Sequence, residues 1–165
     1  MGRLMRRNIL TYKAPPNNEG YDLICIHPDP RTKGRQIRVQ VKSRLATDSD
    51  RGFPVKAQTL DAFDYLIVVF LNVGYFFGRA KRSQSRDGAR DPEFYTFPAS
   101  FIRSHHDARS SWEKVRTRGL DIEQYKNEVG FERIAQDLGI AYPEKGPQRV
   151  PSNSTAAGDV KKRRA

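Results

Sequence analysis

Asp22, Gln40 and Lys42 are the residues of this chain whose types and spacing could do chemistry. Asp22 stands near the start of an apolar run, Gly20-Tyr21-Asp22-Leu23-Ile24-Cys25-Ile26. The amide and the amine, two residues apart, end another, Ile37-Arg38-Val39-Gln40-Val41-Lys42. One acid, one amide and one ammonium at a single place, with the Val41 carbonyl in reach, can hold a metal beside a nucleic-acid backbone. Whether they meet depends on how the two runs pair.

Tyr21 to His27 reads as a strand, broken by Pro28-Asp29-Pro30. After Gly34, Gln36 to Arg44 alternates strictly: Val39 and Val41 face one way, Arg38, Gln40, Lys42 and Arg44 the other. Joining His27 to Gln36 places Asp22 opposite Val41, flanked by Gln40 and Lys42. A slip of one residue would turn the polar row to the other face. An ordinary half-buried hairpin with a solvated basic edge is the plainer reading of the same pattern.

The remaining elements must hold that hairpin. Met1 to Lys13 reads as the end of a helix, with Leu4, Met5, Ile9 and Leu10 apolar and Arg3, Arg6 and Arg7 outward. Asp64 to Leu71 is apolar on both faces, which predicts a central strand. Asn72-Val73-Gly74 turns it into Tyr75-Phe76-Phe77-Gly78, a second hairpin. Glu93 to Phe97 is a further strand, and Pro98-Ala99-Ser100 starts a short helix that buries Phe101 and Ile102. Asp121 to Leu138 shows helical spacing, interrupted at Gly130 and stopped at Gly139. Together these predict one mixed α/β domain over residues 1–143. Residues 144–165, rich in Pro, Ser, Asn, Lys and Arg, are expected to be a disordered basic tail.

The chain has 30 basic residues against 19 acidic ones, a formal net charge of +11, which suggests a polyanionic partner. Residues 1–44 carry ten basic and three acidic groups, whereas 45–74 and 119–144 are net acidic, so the positive charge is segregated along the chain. Cys25 is the single cysteine, which excludes an intramolecular disulfide and a Cys-rich zinc site. No apolar run reaches membrane-spanning length, and Met1 to Arg7 lacks a signal-peptide apolar region. The expectation is a soluble cytoplasmic protein without membrane contact.

An α-β-β-β order, with an acid opening the second strand and an x-Lys pair ending the third, resembles the PD-(D/E)XK nuclease superfamily. The matching residues are Asp22, for the first motif acid, and Gln40-Val41-Lys42, for the (D/E)-x-K triplet. The resemblance covers most of residues 1–140 and looks closest to small restriction-endonuclease-like and Holliday-junction-resolvase-like members. It implies a restriction-endonuclease-like core, a central mixed β-sheet of about five strands flanked by helices. It also implies a Mg2+- or Mn2+-dependent DNA endonuclease, for which cutting both strands would call for a homodimer. Asp22, Gln40 and the Val41 carbonyl would be its metal ligands, with Lys42 at the water or phosphate. Three departures stand: the proline expected near the first acid is replaced by Gly20-Tyr21, the triplet acid is Gln40, and none of Met1 to Ala14 is acidic where the family commonly has a helix glutamate. Glu19 is the nearest replacement. The alternative is a catalytically degenerate DNA-binding module on the same fold; a regulatory domain for an acidic protein is the third.

Among other residues, Arg38, Arg44 and the loop cations Arg79, Lys81, Arg82, Arg86 and Arg90 are candidate nucleic-acid contacts. Trp112, Tyr75, Phe76 and Phe77 could stack on bases, although aromatic hairpins are more often core. His27 reads as a loop residue, and His105 and His106 with Asp107 as a helix end.

Overall fold

The computed structural model describes residues 1–44, 52–72, 91–109 and 112–141. Its centre is a five-stranded mixed sheet of β1 (Leu10–Lys13), β2 (Leu23–Ile26), β3 (Ile37–Arg44), β5 (Tyr65–Phe70) and β6 (Glu93–Pro98), in the order β1-β2-β3-β5-β6. Only β3 and β5 run parallel; every other pair in this sheet is antiparallel. β5, the Tyr-Leu-Ile-Val-Val-Phe segment, lies between β3 and β6 and is buried on both faces, as its apolar run predicts. A smaller sheet of β4 (Phe53–Pro54), β7 (His106–Asp107) and β8 (Lys114–Val115) is ordered β4-β8-β7.

Strand alternation divides the core in two. Leu23, Cys25, Ile37, Val39, Tyr65 and Ile67 pack with Leu4 of α1 (Gly2–Met5) and with Phe131, Ile134 and Ala135 of α3 (Asn127–Asp137). Leu66, Val68, Phe70, Tyr95 and Phe97 pack on the other face, with Ile102 of α2 (Ala99–Ser104), Phe53 and Val115. The sheet is therefore covered on both sides. Arg3 and Arg7 of the N-terminal segment pair with Glu128 of α3, the first at 3.2 Å.

The N-terminal segment differs from the sequence expectation. Residues 1–13 are one helical turn followed by the edge strand β1, not a helix end. Asn8 takes a left-handed φ of 62°, which stops the helix, and Leu10 to Lys13 instead pair with β2 from Leu10↔Ile26 to Lys13↔Leu23. Thr11 is buried there, with its hydroxyl donating to the Ile9 carbonyl at 3.0 Å. Asp121–Leu138 also differs: a 3₁₀ turn, Glu123–Tyr125, precedes α3, and Gly130 lies inside α3 without interrupting it. Val129, one of the apolar residues at helical spacing in this stretch, is 51% exposed. Gly139, at φ 70°, ends the helix as expected. Of the α2 pair, Ile102 is fully buried and Phe101 only half-buried. His105 does cap α2, but His106 and Asp107 form β7. The Tyr75–Gly78 return, the 79–90 loop and the 144–165 tail lie outside the described residues.

Among the described residues no helix is long and apolar enough to cross a membrane. Cys25 is fully buried, and its sulfur lies 3.7 Å from the Thr11 hydroxyl. Burial pushes its thiol up to about 11, against a smaller lowering by Thr11. Because the thiolate is the nucleophile, Cys25 is expected to resist a disulfide reagent at pH 8 in the native protein. It should react within minutes in guanidinium; rapid labelling of the folded chain would contradict this packing.

Candidate metal and nucleic-acid site

Sheet geometry decides what Asp22 can reach. The ladder between β2 and β3 runs Leu23↔Val39, Ile24↔Arg38 and Cys25↔Ile37. This is one residue off the expected register, so continuing the ladder would set Asp22 opposite Gln40 rather than Val41. The reason lies at the turn, where the pairing closes on Cys25↔Ile37 and leaves His27 and Gln36 outside it. The faces of β3 nevertheless remain as expected. Val39 joins one core and Val41 packs against it, while Gln40 is paired with Leu66 of the other core.

Asp22 still meets Val41 by stepping out of the ladder. Its backbone N–H donates to the Val39 carbonyl at 2.9 Å, and its carboxylate accepts the Val41 N–H at 2.6 Å. The acid therefore lies against the Gln40–Val41 peptide. Arg38 and Arg44 carbonyls accept from the Asp64 and Leu71 N–H groups on the β5 side. Odd-numbered residues of β3 therefore aim their backbone groups at β2. The Val41 carbonyl accordingly points to the Asp22 edge, beyond the start of β2, where no described donor meets it.

Gln40 is 6% exposed, and its Oε1 is buried without a hydrogen-bond partner. An unpaired buried oxygen is costly, and a site that supplies it with a cation removes the cost. Lys42 is half-buried, two residues further on and about 7 Å along the strand on the same face as Gln40. No ion pair to Lys42 is formed among the described residues. A carboxylate, an amide oxygen and a carbonyl are the ligand types that Mg2+ or Mn2+ prefers, although Gln40 and Lys42 are not among the residues lining the cleft beside Asp22. The set is poor in charge: among the described residues no three His, Cys, Asp or Glu side chains group to hold a metal.

Gly20 delivers the acid. Its φ is 110°, and a Cβ there would lie 2.3 Å from Ala62 Cβ, so only glycine lets the chain pass the segment before β5. Beside Asp22 and Val41 opens a cleft of about 500 Å3, also lined by Lys13, Asn18 and Tyr21. Glu19 is exposed and is not among its lining residues, although Gly20 does bend the backbone. Lys13 was hidden in the sequence by the helical spacing of residues 4–10; the β-prone Thr11-Tyr12 pair preceding it was the available signal.

The other candidates are distributed elsewhere. Arg38 is tied to Asp64: its backbone N–H donates at 2.8 Å and its Nε at 3.2 Å. Arg35 adds a contact to Asp64 at 3.7 Å. Burial pushes the Asp64 carboxyl up, but these hydrogen bonds and charges outweigh it and hold the group below its ordinary value. Arg44 donates to the Gly52 carbonyl, beyond Lys42 on the same face. Arg79, Lys81, Arg82, Arg86 and Arg90 lie outside the described residues. His27 accepts the Asp29 N–H at 3.0 Å, and His106 is held between the Val55 carbonyl at 2.7 Å and Glu113 at 3.6 Å. Trp112 is 77% exposed, so it is not a core aromatic.

No protein-family profile and no curated protein matches the chain. Among solved structures, it is similar to the bacterial homing endonuclease I-Ssp6803I, with 16% identity over 84% of each chain and a TM-score of 0.44.

Proposed function

We propose that this protein is a divalent-metal-dependent DNA endonuclease whose centre is Asp22, Gln40, the Val41 carbonyl and Lys42. The observation that carries the reading is the buried, partnerless Oε1 of Gln40, the residue whose following peptide N–H, that of Val41, donates to Asp22. The basic balance of the chain and the Gln-Val-Lys resemblance support a phosphodiester substrate. Bound Mg2+ or Mn2+ would neutralise phosphate charge and acidify a water. Asp22 contributes the anionic oxygen, while Gln40 and Val41 contribute neutral ones. Lys42 extends its ammonium towards the phosphate, where it stabilises the charge that grows as water adds to phosphorus and one P–O ester bond breaks. The substrate's own phosphate oxygens complete a donor set that holds a single carboxylate.

The test is nicking of supercoiled DNA by the purified protein in Mg2+ or Mn2+, with EDTA as the control. Cleavage is expected with the native chain and is expected to vanish in Asp22→Ala. Equal cleavage by both would remove Asp22 from the centre.

A second reading, DNA binding without cleavage, is favoured because no three His, Cys, Asp or Glu side chains group to hold a metal among the described residues. It predicts affinity that falls steeply with salt and intact plasmid under every divalent metal.

A further inference from the structure

Past Lys42, β3 runs into a cleft of about 340 Å3 between its own end and the small sheet. Ser43, Arg44, Phe53, Trp112 and Lys114 are among its lining residues. An indole 77% exposed at the mouth of a cleft is unusual, because Trp is highly buried on average. Two cations, Arg44 and Lys114, and one acid, Glu113, line the same cleft. Arg44 lies on the same strand face as Lys42, about 7 Å further along, with its guanidinium donating to the Gly52 carbonyl. Lys114 lies in β8, between Pro54 of β4 and Asp107 of β7.

We infer that this cleft is a nucleobase subsite, in which Trp112 stacks on an unstacked base while Arg44 and Lys114 hold the adjoining phosphates. An aromatic face between cations is the arrangement that takes a single strand of nucleic acid: the ring accepts any base, and the charges follow the backbone. The distance from Lys42 fixes where that base lies. Two residues of strand set Arg44 about 7 Å from Lys42, roughly one step between neighbouring phosphates, so the cleft stands about one nucleotide from the phosphate at Lys42. The inference rests on the nuclease reading for that placement, and it adds a preference for unpaired or displaced bases near the cut.

Trp112 is the single tryptophan of the chain, so its emission reports on this cleft alone. The full-length protein is titrated in Ca2+ with a fluorescein-labelled DNA single strand, and with a duplex carrying one unpaired base. Anisotropy reads total binding, while tryptophan emission and acrylamide quenching read the subsite. Emission is expected to change with the same midpoint as anisotropy, and acrylamide access to fall. Trp112→Ala should weaken binding by about tenfold, and Trp112→Phe should restore most of it. Trp112 is 77% exposed, and the Tm of Trp112→Ala, expected to match that of the native chain, separates loss of the subsite from loss of the fold. Binding by anisotropy with unchanged emission, or equal affinity in Trp112→Ala, overturns the subsite but leaves nucleic-acid binding standing. No binding to either DNA overturns both.

Discussion

Lys42→Ala is expected to slow metal-dependent DNA nicking by about 10²–10³-fold, the scale on which a single charge-stabilising group acts, while DNA affinity measured in Ca2+ changes little. Lys42 is half-buried at the end of a strand whose neighbours Val39 and Val41 make the packing contacts, so its loss should not disturb the fold. Lys42→Arg separates two roles. A guanidinium keeps the charge but cannot deprotonate water under ordinary conditions. Partial activity in that variant would assign Lys42 to phosphate stabilisation, whereas an activity as low as that of alanine would assign it to handling the water. Parallel loss of binding and cleavage would make Lys42 a mere DNA contact.

The second large effect is on stability. Gly130→Ala in α3 ought to help on helix propensity alone, since glycine is ~1 kcal/mol poorer than alanine inside a helix. Its surroundings reverse that sign. A Cβ at Gly130 would lie 2.2 Å from the Tyr125 carbonyl oxygen and 2.9 Å from Thr96 Cβ and Oγ1. Asn127 Oδ1, which accepts the Phe94 N–H at 3.0 Å, and Lys126, whose ammonium meets Glu93 at 2.7 Å, hold the start of α3 on β6. The helix therefore has no freedom to back away without breaking its own anchor. We expect Gly130→Ala to destabilise the protein by about 1–3 kcal/mol, a fall of several degrees in Tm. Gly139→Ala, where nothing lies within 4 Å of the added Cβ, tests the left-handed φ alone and should cost less. A rise in Tm for Gly130→Ala would show that α3 sits further from β6.

How much of this was legible in the sequence varied with the strength of the periodic signal. β3 and β5 could be read from alternation and from a two-faced apolar run, and both faces of β3 came out correctly. β1 could not, because Leu4, Met5, Ile9 and Leu10 recur at helical intervals and only the φ of Asn8 separates helix from strand. The small sheet was invisible: strands of two residues, one ending in Pro54, carry no periodicity. The meeting of Asp22 with Val41 was legible, but the register that brings it about was not. Counting across a loop assumes that the loop closes symmetrically, and one unpaired residue at the turn defeats it. The contact survived because a side chain, unlike a backbone ladder, can make up a one-residue difference. Glycine at 130 was read as a break, when its meaning was the close approach of a strand.

β2 begins at Leu23, while β3 continues to Arg44, so the last residues of β3 extend past the start of their antiparallel neighbour. In a crowded cell a strand edge that lacks a full partner strand is a template for another chain to add to, the step that begins sheet-to-sheet aggregation. The residues standing guard over it are Asp22 and Lys42, two charges of opposite sign that an incoming strand would have to desolvate. The groups proposed for catalysis would thus also act as gatekeepers against self-association. Neutralising both would remove activity and protection together.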